Sequence, residues 1–273
     1  MSIFAERIAS VQTPVVNDNG PGVPAIWWHN GNKQAKTPGV FYLKAATLQS
    51  EPEAPWQPSE RFEREVGFET PALHLALVTW RQQPYRTSEV VVGGEKRKER
   101  CYLATWEPGA QIHIEIVCLA EGIAEPVIWS FHGMAGRAVM SKNGIVSEYR
   151  NGLLHTAERA AGKRLPLWTF WLPLSSLRDA KNQLIYTDTG HGSVVTLPMV
   201  NWPAHAEAEL LDTFFVGEEW LASGYDIHAQ FAHWRTQRRG DATRAVNGST
   251  ANPSPLRLPD DTSFYEDDDD VAA

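Results

Sequence analysis

Trp80, Arg81, Tyr85 and Arg86, and further on Lys96, Arg97, Lys98, Arg100 and Tyr102, interleave flat aromatic rings with fixed positive charge. That combination suits one chemistry in particular: unpaired bases stack on aromatic side chains at about 1–3 kcal/mol each, while Lys and Arg neutralise the phosphates between them. Between Arg81 and Arg100 there are six basic residues and three acidic ones, and between Arg137 and Arg164 six and two. Trp27 and Trp28, with Lys33 and Lys36 close behind, repeat the pattern near the N-terminus, and Trp171 sits in the aromatic run LWTFWLPL. Eleven Trp in 273 residues is a high count. The same rings also serve cores, where large aromatics ordinarily go.

Other chemistries leave no comparable trace. The chain has no glycine-rich phosphate loop ending in Gly-Lys-Ser/Thr, no dinucleotide fingerprint, no Gly-x-Ser-x-Gly elbow and no His-Glu-x-x-His pair. His113 and Glu115 share a strand face as in zinc deaminases, but the downstream Pro-Cys-x-x-Cys that would complete such a site is missing. A non-catalytic protein with no cofactor and no metal is therefore expected. Cys101 and Cys118 are too few for a disulfide framework and read as buried thiols. No run approaches the roughly 18–20 apolar residues of a membrane span, and the N-terminus lacks a basic segment followed by an apolar one. The expectation is a cytoplasmic protein without a membrane partner.

Positioning these residues requires a β-rich body. His74–Trp80, Arg100–Trp106, Gln111–Cys118, Pro126–His132, Leu167–Leu174 and Val194–Val200 read as strands, and Ser88–Lys98 as a strand, a Gly-Gly turn and a basic tip. In QIHIEIVC, alternation puts Ile112, Ile114 and Ile116 on one face and Gln111, His113 and Glu115 on the other. Val23–Trp28 and Val40–Ala46 form a candidate hairpin. Spacings of three and four among Val146, Tyr149, Leu153 and Ala157 predict a helix within Ala135–Ala161, broken near Gly144 or Gly152. Ala206–Arg238 predicts one or two more helices, with an apolar stripe from Leu210 to Trp234. Five strands with one helix between the third and fourth is the order of an OB-fold. The expected class is β-rich α+β, an elaborated OB-like barrel with helical additions over residues 1–239.

Beyond that body the composition changes. Residues 240–259 are a Gly/Ser/Asn/Pro linker, and 260–273 hold seven carboxylates with no Lys or Arg. Excluding those seven leaves 25 basic and 26 acidic residues, so nearly all of the net charge of −8 lies in this tail. Adjacent like charges resist burial, and a solvated, disordered interaction tail follows, with Phe264, Tyr265, Glu266, Asp267, Asp268, Asp269 and Asp270 as its binding element.

An aromatic-rich β body, a flexible linker and a terminal acidic run together resemble the layout of bacterial and bacteriophage single-stranded DNA-binding proteins. The bacterial tail ends in a Pro-Phe tip, which some phage versions lack, whereas this chain ends Val271-Ala272-Ala273 and places Phe264-Tyr265 before the acids; a body larger than the usual bacterial OB domain fits a phage, plasmid or other mobile-element protein better. The resemblance implies sequence-tolerant binding of single-stranded DNA, or RNA, in replication and recombination. It also implies recruitment of replication or recombination proteins through the tail. A strand-annealing or recombination-mediator protein is the nearest alternative; a phage structural or assembly protein, with Trp-rich faces joining copies of the chain in a homo-oligomer, is the alternative of another class.

Overall fold

The computed structural model describes residues 23–59, 66–92, 95–189, 194–202 and 207–235. The linker 240–259 and the tail 260–273 lie outside the described residues. Among the described residues there are twelve strands: β1 (Ala25–His29), β2 (Val40–Lys44), β3 (Gln57–Ser59), β4 (Gly67–Thr70), β5 (Ala72–Val92), β6 (Glu95–Tyr102), β7 (Gln111–Ala120), β8 (Ile123–His132), β9 (Leu172–Ser176), β10 (Thr187–Asp188), β11 (Val194–Val195) and β12 (Pro198–Val200). Ten of them form one mixed sheet in the order β12-β9-β5-β7-β8-β1-β2-β4-β3, with β6 also paired to β5. Only β1 and β8 pair in parallel within it; the other pairings are antiparallel.

The structure is β-rich α+β as expected, but among the described residues the sheet does not close: β12 and β3 end it, and neither pairs with the other. The strand order alone could not anticipate this, because the β1–β2 hairpin joins through β8, about a hundred residues further along the chain. The hairpin itself is as read from sequence, with Ile26 opposite Leu43.

Each strand's alternation feeds two apolar cores, one on either face. Leu73, Leu75 and Leu77 of β5, Ile114 and Ile116 of β7, and Trp129 and Phe131 of β8 point to the first core. That core is closed by α1 (Gly133–Met140), α2 (Ile145–Tyr149), a π-helical turn (Arg150–Leu154) and α3 (His155–Ala161). Gly144 lies at the break between α1 and α2, where sequence placed one, and Gly162 ends α3 in the left-handed conformation at φ 63. Ala76 and Val78 of β5, Val117 and Leu119 of β7 and Ile128 of β8 face the second core, under α5 (Glu218–Gln230), which follows α4 (Glu207–Phe214).

Several local readings change: the strand read over Arg100–Trp106 ends at Tyr102, and Val194–Val200 is two short strands, β11 and β12. Leu167–Trp171 is turn and bridge rather than strand, so Trp168 and Phe170 fall into different cores instead of sharing a face. Cys101 is exposed, with Ser88 Oγ 3.0 Å from its sulfur; only Cys118 is buried, and both thiols are free. Trp168 is fixed by its Nε1–H donating to the Leu221 carbonyl at 2.9 Å and by Gly224, where a Cβ would overlap the indole. No described helix is long and apolar enough to cross a membrane.

Candidate nucleic-acid interface

β5 is 21 residues long and runs on past the last residue that β7 pairs with. Ala72–Leu75 pair with β9 and Leu75–Tyr85 with β7, and from Tyr85 onward β5 pairs with β6 as a two-stranded arm. The basic residues expected at a loop tip are therefore spread along a strand: Lys96 stands opposite Val91, Arg97 opposite Val90, Lys98 opposite Glu89 and Arg100 opposite Thr87. Lys96 and Arg100 are exposed; Lys96 Nζ lies 3.6 Å from the Glu89 carboxylate, both largely in water, a pairing worth little. Arg86 is tied by an ion pair to Glu107 at 3.2 Å and by a hydrogen bond to the Pro108 carbonyl at 2.8 Å.

Where the arm joins the sheet, its aromatic residues meet a polar surface. Tyr85 is buried and donates its hydroxyl proton to Gln111 Oε1 at 2.6 Å; burial pushes its pKa up. The Arg100 guanidinium lies 5.4 Å from the Tyr85 ring centroid, within cation–π range, and 3.2 Å from His132 Nε2. Tyr102 is half-buried, with its hydroxyl 2.7 Å from His113 Nδ1, and His113 Nε2 is 2.8 Å from Ser130 Oγ. Desolvation against the sheet, and then the Arg100 charge, hold the His132 pKa below its ordinary value.

Sheet register aligns these groups. Arg81 pairs with Glu115, Glu115 with Ser130, Ser130 with Trp27, Trp27 with Tyr42 and Tyr42 with Glu69, so one polar row crosses six strands. Cross-strand partners share a face. Trp27 is half-buried on that face with Lys44 Nζ 5.7 Å from its ring centroid. Three strand spacings, about 15 Å, separate β5 from β1. The polar face therefore carries, from the arm inward, Lys96, Arg100, Tyr102 and Trp27.

Several residues singled out in sequence do other work. Arg81 is buried, donating from Nε to Glu115 at 2.7 Å and lying 4.2 Å from the Trp234 ring, so its charge is consumed inside the protein. Trp28 packs edge-on to Phe41 and donates its Nε1–H to the Thr196 carbonyl at 2.8 Å, and Trp171 packs against Trp220. Lys33 and Lys36 are exposed in the turn between β1 and β2. Trp80 is half-buried against the first core and lines a cleft on the other side of β5 from the polar row. Phe264, Tyr265, Glu266, Asp267, Asp268, Asp269 and Asp270 lie outside the described residues.

Sequence reading passed over Gln111, His132 and Ser130, which are unremarkable until register sets them beside Tyr85, Arg100 and His113. His113 and Glu115 are on one face as alternation required, yet they bond to different partners, and the described residues contain no group of three or more His, Cys, Asp or Glu able to hold a metal. Compared with protein-family models, with curated proteins and with solved structures, the chain has no match.

Proposed function

We propose that this protein binds single-stranded DNA without catalysis and with little sequence preference, through the β5–β6 arm and the polar face at its base. The observation that carries the reading is the continuity of the arm, with Lys96, Arg97, Lys98 and Arg100 along one strand, with a face bearing Tyr102 and Trp27. Cations along a strand follow a phosphate backbone, and half-buried rings beside them offer stacking surfaces to splayed bases. A closed OB-like barrel is not needed for this: an open sheet presents the same strands, and a projecting arm adds reach. The acidic tail, Asp260 to Asp270, serves in this reading as the docking peptide for replication or recombination proteins.

A mobility-shift series with single-stranded DNA, single-stranded RNA and duplex tests the proposal. Single-stranded DNA should bind, quench Trp fluorescence and weaken steeply as salt rises, whereas duplex, whose bases are already stacked, should bind less well. Absence of both shift and quenching at low salt with a 30-mer would sink the reading. Acceleration of complementary-strand pairing would reassign the same interface to strand annealing.

A further inference from the structure

The second basic segment, Arg137–Arg164, contributes nothing to the arm. It folds instead into the wall of a cleft of about 390 Å³, which opens along β5 at Val78–Trp80. Between Ala76 and Gln83 no described strand pairs with β5 on the edge away from β7, so backbone as well as side chains face this space. The opposite walls are the π-helical turn with α3, and the end of α5 with the turn after it.

Arg150, Asn151, Leu154, His155 and Glu158 all line the cleft, at spacings that place them on one side of a continuous helical segment. The extra residue per turn in Arg150–Leu154 is the kind of helical irregularity that recurs at functional sites. Arg164 and Arg235 complete the charge, with His228 stacked on Trp168 at 5.5 Å below them. Against three guanidinium groups stands one carboxylate, Glu158, and it is engaged: Oε1 accepts the Leu165 N–H at 3.1 Å and Oε2 lies 3.8 Å from Arg164. Arg150 and Arg235 have no ion pair among the described residues. Trp80, Trp168 and His228 form the aromatic part of the lining; Trp168 is buried and Trp80 half-buried.

We infer that this cleft is a nucleotide site, holding one phosphorylated nucleoside with its phosphate on Arg150 and Arg235 and its base against Trp80. Two guanidinium groups lining one cleft, with no ion pair among the described residues, suit a phosphate, to which Arg makes charge-assisted, often bidentate hydrogen bonds. The volume falls within the roughly 300–1,000 Å³ of small-molecule sites, and the half-buried Trp80 ring offers a stacking face for one base. The ligand is either a free nucleotide or the 5′-phosphorylated end of a strand. This inference stands independently of the arm, because the two share no residue.

Calorimetric titration of the full-length protein with dAMP, deoxyadenosine and inorganic phosphate tests it. dAMP should bind saturably, and deoxyadenosine and phosphate each at least about tenfold more weakly, since each retains only one of the two contacts. The double variant Arg150→Ala, Arg235→Ala should lose at least about tenfold in dAMP affinity with an unchanged Tm, because both side chains are exposed. Replacing Lys96, Arg97, Lys98 and Arg100 by Ala should leave dAMP binding intact, so a failure of the arm proposal does not touch this one. In the protein with Lys96, Arg97, Lys98 and Arg100 replaced by Ala, a 5′-phosphorylated 10-mer binding more tightly than both dAMP and the unphosphorylated 10-mer identifies a strand end as the source, and affinity equal to that of dAMP identifies the free nucleotide. No saturable binding of dAMP at millimolar concentration, equal binding of deoxyadenosine, or full affinity in the double variant would overturn the inference.

Discussion

Arg81 and Arg100 belong to the same basic segment and stand on adjoining strands, yet they do opposite things. Arg81 is one residue past Trp80 on the part of β5 that β7 covers, and there its charge is neutralised by Glu115 and roofed by Trp234. Arg100 lies on the arm, past the last residue that β7 pairs with, and its guanidinium is exposed beside Tyr85 and His132. What separates them is the length of the neighbouring strand. Where β7 runs alongside, a polar side chain is enclosed and must be satisfied internally; where β7 ends, the same residue type is left exposed.

The contrast predicts its largest effect at the enclosed pair. Arg81→Ala leaves the Glu115 carboxylate buried without its cation and should cost about 3–5 kcal/mol in urea unfolding, whereas the double change Arg81→Met, Glu115→Leu should cost less than Arg81→Ala alone. A single-variant loss below about 1 kcal/mol would show the pair to be hydrated, and the contrast with Arg100 would disappear. Gly224→Ala probes the cover over the same face: its Cβ would push the Trp168 indole off α5, with an expected loss of about 1–3 kcal/mol by thermal melting.

The smallest effect is at the arm's base. His132 titrates below its ordinary value in the folded protein, so the unfolded chain binds the extra proton. Its contribution to stability is present above the ordinary His pKa and fades as pH falls from there toward the lowered folded value. Arg100→Ala removes the secondary of the two causes, and the His132 resonance followed by NMR should titrate at higher pH in that variant, with little change in Tm. An unmoved titration would mean that Arg100 is turned away from the sheet.

Much of this was legible where the signal is local. Alternation in β7 placed Ile112, Ile114 and Ile116 opposite His113 and Glu115, helical spacing marked Ala135–Ala161 as helical, with Gly144 the true break and Gly152 inside the π-helical turn, and composition marked the arm as basic. What escaped depends on partners far away in sequence. Glu115 is 34 residues from Arg81, and no local pattern announces that they meet. The run Leu167–Trp171 has strand composition, but the Trp171 N–H is taken by the Phe214 carbonyl and Trp168 is captured by α5, so tertiary contacts override propensity. The open sheet was hidden for the same reason, because its continuity rests on the parallel pairing of β1 with β8. Arg150, Arg164 and Arg235 were visible only as charge until the cleft drew them together.

On the proposed function, the arm, with Lys96 and Arg100 exposed, and not the enclosed row supplies the cationic contacts to single-stranded DNA. The most direct test is the salt dependence of binding for the protein and for the variant with Lys96, Arg97, Lys98 and Arg100 all replaced by Ala, with Tm measured in parallel. Expected are an unchanged Tm, weaker binding, and a plot of log affinity against log salt flattened by up to about 0.7 for each lost contact. An identical slope and affinity in the two proteins would contradict it.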